Sequence, residues 1–484
     1  MKMNSKHISI SLLFSFWILN VGAQQTMDLY EIGTKIDFHS VVLNENRPLI
    51  IYTPESYEQD STKIYPVIYL LDGGGNFHHT SATVDFLSRN GRIPEMIVVA
   101  IRNTIDRTHD LTPETLEPNV SFPTAGGADS MLIFMEKELF PFIKKEYRIN
   151  EYKILIGHSF GGLFAIHTLI NHPGIFNSYL SISPSLWWDN QDLVLNQTKS
   201  FFENNRELTG HIYITMGNEN NTMVGGAWKL IALLEEKGPP NLKWEFNRMT
   251  DESHGSIPML STYKGLEFIF KEWNIEKKRD ALVMGGTAVL DQHLEEVEKY
   301  YGIEVNMDEN FLKDIAQNLV MEEKFDLALG IFRKNALLHP DSWKTQSDYG
   351  ALLVNMNKME EAIPFLKNAI KLNPEDKQSL VSLRKTGEDV SGLLPMVDFS
   401  DRELRSFAGK YLAQNGMNLL FEIKEKSIWI SGDGTPRTQL LPLEKNLFFV
   451  DMLGAELSFT FEGEKVVGFL AKINGQNFPA KKIE

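Results

Sequence analysis

Gly157-His158-Ser159-Phe160-Gly161-Gly162 is the segment whose residue types and spacing point most directly to chemistry. A G-x-S-x-G run places a serine on a sharp turn between a strand and a helix, with its hydroxyl clear of the backbone. The flanks supply that setting: apolar Ile154-Leu155-Ile156 runs in, and apolar Leu163-Phe164-Ala165-Ile166 runs out. A serine placed this way can attack a carbonyl carbon. It then needs a base to take its proton, an acid to orient that base, and two N–H donors for the oxyanion.

The base should follow the last strand of such a domain, where Ser253-His254-Gly255-Ser256 lies, and His254 is expected to fill the role. His78, His79 and His109 come too early in the chain, and His158 is set aside because neighbouring side chains at an elbow diverge. The acid should follow the preceding strand, His211–Met216, which selects Glu219 over its competitors Asp251 and Glu252. Phe160 should donate one oxyanion N–H, and Gly73 or Gly74 of Asp72-Gly73-Gly74-Gly75-Asn76 the other. Trp187, beside Trp188, either floors a substrate pocket or packs as core. Arg102 and Arg107 either hold a substrate carboxylate or catecholate oxygen or form surface ion pairs. No metal site and no cofactor is expected.

The elements that must position these residues are legible as alternating short apolar strands and amphipathic helices over residues 36–275, the pattern of an α/β domain. Eight strands are expected, around Phe38–Leu43, Leu49–Thr53, Pro66–Leu71, Met96–Ile101, Lys153–Ile156, Tyr179–Ser183, His211–Met216 and Trp244–Met249. The uninterrupted apolar runs among them suit a parallel sheet covered on both faces. Helices are expected over 131–147, 260–274 and 289–301. From about 305 to 390 a 34-residue period appears: Leu338-His339-Pro340 recurs as Leu372-Asn373-Pro374, and Ala328 as Ala362. That period is similar to tetratricopeptide repeats, and two copies are few enough that they should lean on a neighbour. After 400 the period falls to two, with turns such as Gly432-Asp433-Gly434, as in an antiparallel barrel or half-barrel. The expected division is a signal peptide over 1–23, an α/β-hydrolase domain over 24–278, a helical linker over 279–304, an all-α repeat segment over 305–395 and a small β domain over 396–484.

Residues 36–275 resemble the putative-esterase branch of the α/β-hydrolase fold, which includes esterase D-like, feruloyl, acetyl and siderophore trilactone esterases. The matching pieces are Tyr69-Leu70-Leu71-Asp72-Gly73, Ile156 to Gly162, and Ile182-Ser183-Pro184-Ser185-Leu186-Trp187-Trp188, the last most similar to the siderophore side. The segment with Leu404, Phe407, Gly409 and Tyr411 resembles a β domain appended to some bacterial serine hydrolases. The resemblance implies metal-free hydrolysis of a carboxylic ester by Ser159, Glu219 and His254.

The bulk properties narrow the partners. A net charge of −16 repels phosphate backbones, which argues against nucleic acid. The absence of cysteine excludes disulfides, thiolate metal sites and a cysteine nucleophile. Lys2 and Lys6, the apolar run Ile8–Val21 and the small residues Val21-Gly22-Ala23 have the form of a cleavable leader, so an exported, periplasmic or secreted protein without a membrane span is expected. The substrate is expected to be a small-molecule or carbohydrate ester, and the repeats offer a surface for a protein partner. The same triad serves acyltransferases and peptidases, and an inert hydrolase domain carrying a binding scaffold is the alternative from another class.

Overall fold

The computed structural model describes residues 31–483, apart from 105, 304, 306, 391–396, 433–434, 451–454 and 474–475. The expected leader lies outside the described residues, as does part of the turn at Gly432-Asp433-Gly434. Eight strands form one sheet: β1 (Thr34–Ser40), β2 (Glu45–Tyr52), β3 (Tyr65–Leu70), β4 (Ile97–Ile101), β5 (Ile149–His158), β6 (Ser178–Ile182), β7 (Gly210–Met216) and β8 (Leu242–Arg248). Their order is β1-β2-β4-β3-β5-β6-β7-β8. The β1–β2 and β2–β4 pairs are antiparallel, and every later pair is parallel. This is an α/β-hydrolase-like sheet. The first strand starts and ends earlier than the apolar pattern suggests, because Val41 to Asn44 turn the chain into β2.

Strands β3, β4 and β6 are buried along their whole length, which explains their uninterrupted apolar sequences. Alternate residues serve opposite faces. Val67, Tyr69, Val99, Leu155 and Ile212 pack beneath helices that include Phe160–Asn171. Ile68, Leu70, Val98, Ile154 and Leu180 face the other way. The helix expected over 131–147 runs as Ala128–Phe134, a π turn over Met135–Leu139 and Phe140–Glu146. The helix expected over 260–274 spans Ile257–Ile269.

The core on the second face does not stop at the sheet. It continues through Leu282, Leu290, Val297 and Tyr301 into Leu312, Ile331, Ala362 and Leu366, and ends on Leu441 and Phe449. Residues 309–385 form five helices, Glu309–Met321, Phe325–Leu338, Trp343–Asn355, Met359–Leu372 and Lys377–Lys385. The periodicity extends to the backbone: Glu323 and Asn357, 34 residues apart in the sequence, both turn with φ of 60°. Ala328 and Ala362, at equivalent places, are fully buried.

The remaining strands close an antiparallel barrel: β9 (Gly409–Ala413), β10 (Asn418–Lys424), β11 (Ser427–Gly432), β12 (Thr435–Pro442), β13 (Leu447–Val450), β14 (Ala455–Glu462), β15 (Lys465–Ile473) and β16 (Gln476–Lys482). Pairing of β16 with β9 completes the closure and leaves no sheet edge. Phe407, Tyr411, Phe421, Phe448, Phe459 and Phe469 fill its interior.

The junction between sheet and helices contains a buried titratable group. His211, the second residue of β7, is 6% exposed, bonds Ser178 Oγ and Tyr300 Oη at 3.2 Å each, and stacks on Tyr301. Burial, followed by nearby Lys243, lowers its pKa to about 4. The folded protein therefore refuses a proton that the unfolded chain accepts below about pH 6.5. This contribution to stability is present above that pH and is lost as pH falls toward 4. Denaturant titrations at pH 7 and pH 5 should differ by about 2 kcal/mol from this group. His211→Gln should reduce the difference, and an identical pH dependence in wild type and variant would refute the assignment.

Candidate active site

Ser159 sits between β5 and the helix Phe160–Asn171 with φ 62° and ψ −115°. A left-handed conformation at a non-glycine residue costs on the order of 1–3 kcal/mol and persists only where its surroundings enforce it. Here Ser159 N–H donates to Ile182 O at 2.9 Å, and Ser159 O accepts from Leu163 and Ser185 N–H at 3.0 and 3.1 Å. The turn is so tight that a Cβ on Gly157 would lie 2.1 Å from Gly161 O. The hydroxyl of Ser159 lies 3.4 Å from Ser185 Oγ.

A cleft of about 480 Å³ opens over this turn, lined by Asp72, Gly74, Gly75, Asn76, Arg102, Asn103, Arg107, His158, Ser159 and His254. His254 follows β8 on a loop and Glu219 follows β7. The two meet with Nδ1 to Oε1 at 2.7 Å. The Glu219 side chain is 6% exposed and that of His254 41%, so the carboxylate sits behind the ring and the ring faces the cleft. The alternative acids do not take that place. Glu252 accepts from Ser256 Oγ at 2.6 Å, and Asp251 is exposed.

Two helices begin at the cleft. Phe160 is the first residue of one, so its N–H has no carbonyl partner within that helix. Gly73 and Gly74 open the other, Gly73–Arg89, after Asp72 in a left-handed conformation. Gly74 lines the cleft. Gly73 does not: it packs so closely on β4 that a Cβ would lie 2.8 Å from Ala100 C. Both helix starts bring partial positive charge toward the same space.

The cationic residues divide. Arg107 is bound at both nitrogens by Asp72, with Nη2 to Oδ2 at 2.8 Å, and also donates to His158 O at 3.0 Å. Asn103 holds the same carboxylate at 2.7 Å. Arg107 is therefore committed to shaping the loop. Among the described residues the Arg102 guanidinium makes no ion pair, and its side chain is exposed at the cleft. Trp187 is absent from the lining. It is half-buried against Phe122, Phe160 and Trp188 at ring separations of 5.9–6.1 Å, and so supports Phe160 from behind. Asp72, Asn76 and Asn103 are lining residues that sequence reasoning did not assign. Asp72 and Asn76 carried one signal, their places at the two ends of the glycine run, and Asn103 carried none.

Asp129, His167 and His172 bring three potential metal ligands together away from the cleft: Asp129 Oδ1 lies 2.7 Å from His167 Nε2 and 3.2 Å from His172 Nε2. A polar chain sets the proton of His167. Asp192 accepts from Gln197 Nε2, Gln197 Oε1 accepts from Asn171 Nδ2, and Asn171 Nδ2 also faces His167 Nδ1 at 3.0 Å. His167 Nδ1 is thus the acceptor and Nε2 carries the hydrogen. In this arrangement the cluster braces the helix Ala128–Phe134 against the helix Phe160–Asn171 by hydrogen bonds.

Comparison with known proteins identifies the family of the sheet-bearing part of the chain. The family described as "Putative esterase" matches residues 40–234. The siderophore triacetylfusarinine C esterase of Aspergillus fumigatus is 33% identical over 247 residues, covering 43% of this chain and 82% of that protein. This chain belongs to the putative-esterase family. The ferri-bacillibactin esterase BesA of Bacillus subtilis is 28% identical over 251 residues, covering 46% of this chain and 86% of its own. The crystal structure of an IroE-like serine hydrolase from Shewanella oneidensis superposes with a TM-score of 0.53 at 25% identity, over 62% of this chain and 97% of that one. The esterase fold thus accounts for the sheet and the cleft, and the helical segment and barrel extend beyond the family match. Among the described residues no helix is long and apolar enough to cross a membrane.

Proposed function

We propose that this member of the family is a serine esterase that hydrolyses a carboxylic ester through an acyl-enzyme intermediate. The observation that carries the reading is the shared cleft of Ser159, held at φ 62°, and His254, backed by Glu219 at 2.7 Å. His254 takes the Ser159 proton as Oγ attacks the ester carbonyl. The N–H groups of Phe160 and Gly74 receive the oxyanion; Gly74 is favoured over Gly73 because it lines the cleft. His254 then gives its proton to the leaving alcohol, and water activated by the same ring releases the acid. Glu219 keeps the ring in the required tautomer and supports its cationic form.

For the substrate, these relatives are named as siderophore esterases, and the cleft has a feature suited to an anionic ligand: Arg102, without an ion pair among the described residues, beside two helix starts, in a chain of net charge −16. We therefore favour a siderophore-type ester over a neutral acylated polysaccharide. The leader-like start supports export to the periplasm or medium. The 34-residue helical period supports a tetratricopeptide-like segment that braces the esterase, since its core is continuous with the sheet's.

Purified protein should hydrolyse a ferric trilactone siderophore with kcat/KM well above that for acetylated xylan. Arg102→Gln should raise KM for the siderophore about tenfold, the scale of one charge-assisted contact, and leave p-nitrophenyl acetate turnover within twofold. Equal effects on both substrates, or preference for the xylan, would overturn the assignment of substrate class.

A further inference from the structure

His158 precedes the candidate nucleophile in the chain, and its side chain enters the same cleft. Its ring centroid lies 4.5 Å from that of His254, with the planes 43° apart. His158 is set aside as the base because neighbouring side chains at an elbow diverge, yet its imidazole is in contact with that of His254. The His158 carbonyl is held by Arg107, which Asp72 grips in turn, so the end of β5 is fixed independently of the ring. His158 Nε2 is buried and, among the described residues, has no hydrogen-bond partner. Glu219 holds His254 by one nitrogen alone, which leaves rotation about that bond open, and 41% of the His254 side chain is exposed. The ring contact with His158 limits that rotation.

We propose that His158 is a positioning residue for His254, packing against its ring so that the imidazole stays aimed at Ser159. This rests on the reading of His254 as the base. The role requires a neutral ring, since a second cation in contact would oppose protonation of His254 during the reaction. Burial first, then the neighbouring His254, lowers the His158 pKa to about 4, with Asp72 opposing and Arg107 adding to the shift. His158 thus stays neutral through turnover at neutral pH.

His158→Phe preserves the ring contact and removes the nitrogens, whereas His158→Ala removes both. With p-nitrophenyl acetate, the alanine variant should lose about 10- to 100-fold in kcat, the range that misplacement of a catalytic group produces, with KM within twofold. Its acid limb in the kcat/KM profile should move to higher pH, because solvent replaces the ring and favours imidazolium. The phenylalanine variant should keep kcat within about fivefold and leave the acid limb in place. A merely structural role would change the folded fraction and leave the limb where it is. Wild-type kcat and an unmoved limb in His158→Ala would overturn the proposal. Full activity of Ser159→Ala would instead overturn the serine-esterase reading beneath it.

Discussion

Ser159→Gly should abolish turnover and make the protein more stable. Loss of the nucleophile should lower kcat/KM for p-nitrophenyl acetate by about 10⁴-fold or more, leaving the residual acceleration that oxyanion donors and binding alone supply. The stability gain follows from the backbone. At φ 62° and ψ −115° a side chain is strained, and glycine adopts positive φ without that penalty. Relief of the strain should exceed glycine's larger entropy loss and raise stability by about 1 kcal/mol. Ser159→Ala should lose the same activity without the gain, because a Cβ keeps the strain. Activity within tenfold of wild type in either variant would remove Ser159 from the chemistry. A glycine variant no more stable than the alanine variant would show that the elbow stores no strain.

The sheet was legible because it depends on local pattern. Strands buried on both faces must be apolar throughout, and Val67-Ile68-Tyr69-Leu70 and Ile97-Val98-Val99-Ala100 are. The motif at Ser159 was legible for a related reason: an elbow this tight admits only glycine at Gly157, so its chemistry leaves a spacing in the sequence. Glu219 and His254 were found by chain order, which the parallel sheet converts into neighbourhood at one edge. Features set by pairing across long separations were not legible. The contact of His158 with His254 joins residues 96 positions apart in the sequence. The capture of Arg107 by Asp72 removes a cation that composition alone leaves free. Closure of the barrel depends on β16 finding β9, for which neither strand carries a local mark. The helices were visible as a repeat. Two repeats are too few to stand alone, so a covering neighbour was expected; that it is the sheet's own core was not visible, because an amphipathic face has the same period whatever covers it.

Glu219→Gln should lower kcat by about 10³- to 10⁴-fold with KM changed only a few-fold, while Asp251→Asn and Glu252→Gln each stay within about threefold of wild type. The carboxylate accepts from His254 Nδ1 at 2.7 Å, which leaves the lone pair on Nε2 for the serine proton. Glutamine has the same shape but can turn its amide N–H toward Nδ1. The ring then keeps its hydrogen on Nε2, where it cannot accept one, and the imidazolium formed during attack loses its counter-charge. The near-complete burial of the Glu219 side chain makes the loss hard for water to repair. Glu252 is already occupied by Ser256, and Asp251 is exposed, so neither is placed to substitute. Because substrate contacts lie elsewhere in the cleft, the defect should appear in kcat. Comparable losses in Asp251→Asn would transfer the role to that residue, and a Glu219→Gln variant with full kcat would show that the hydrogen bond seen here is structural.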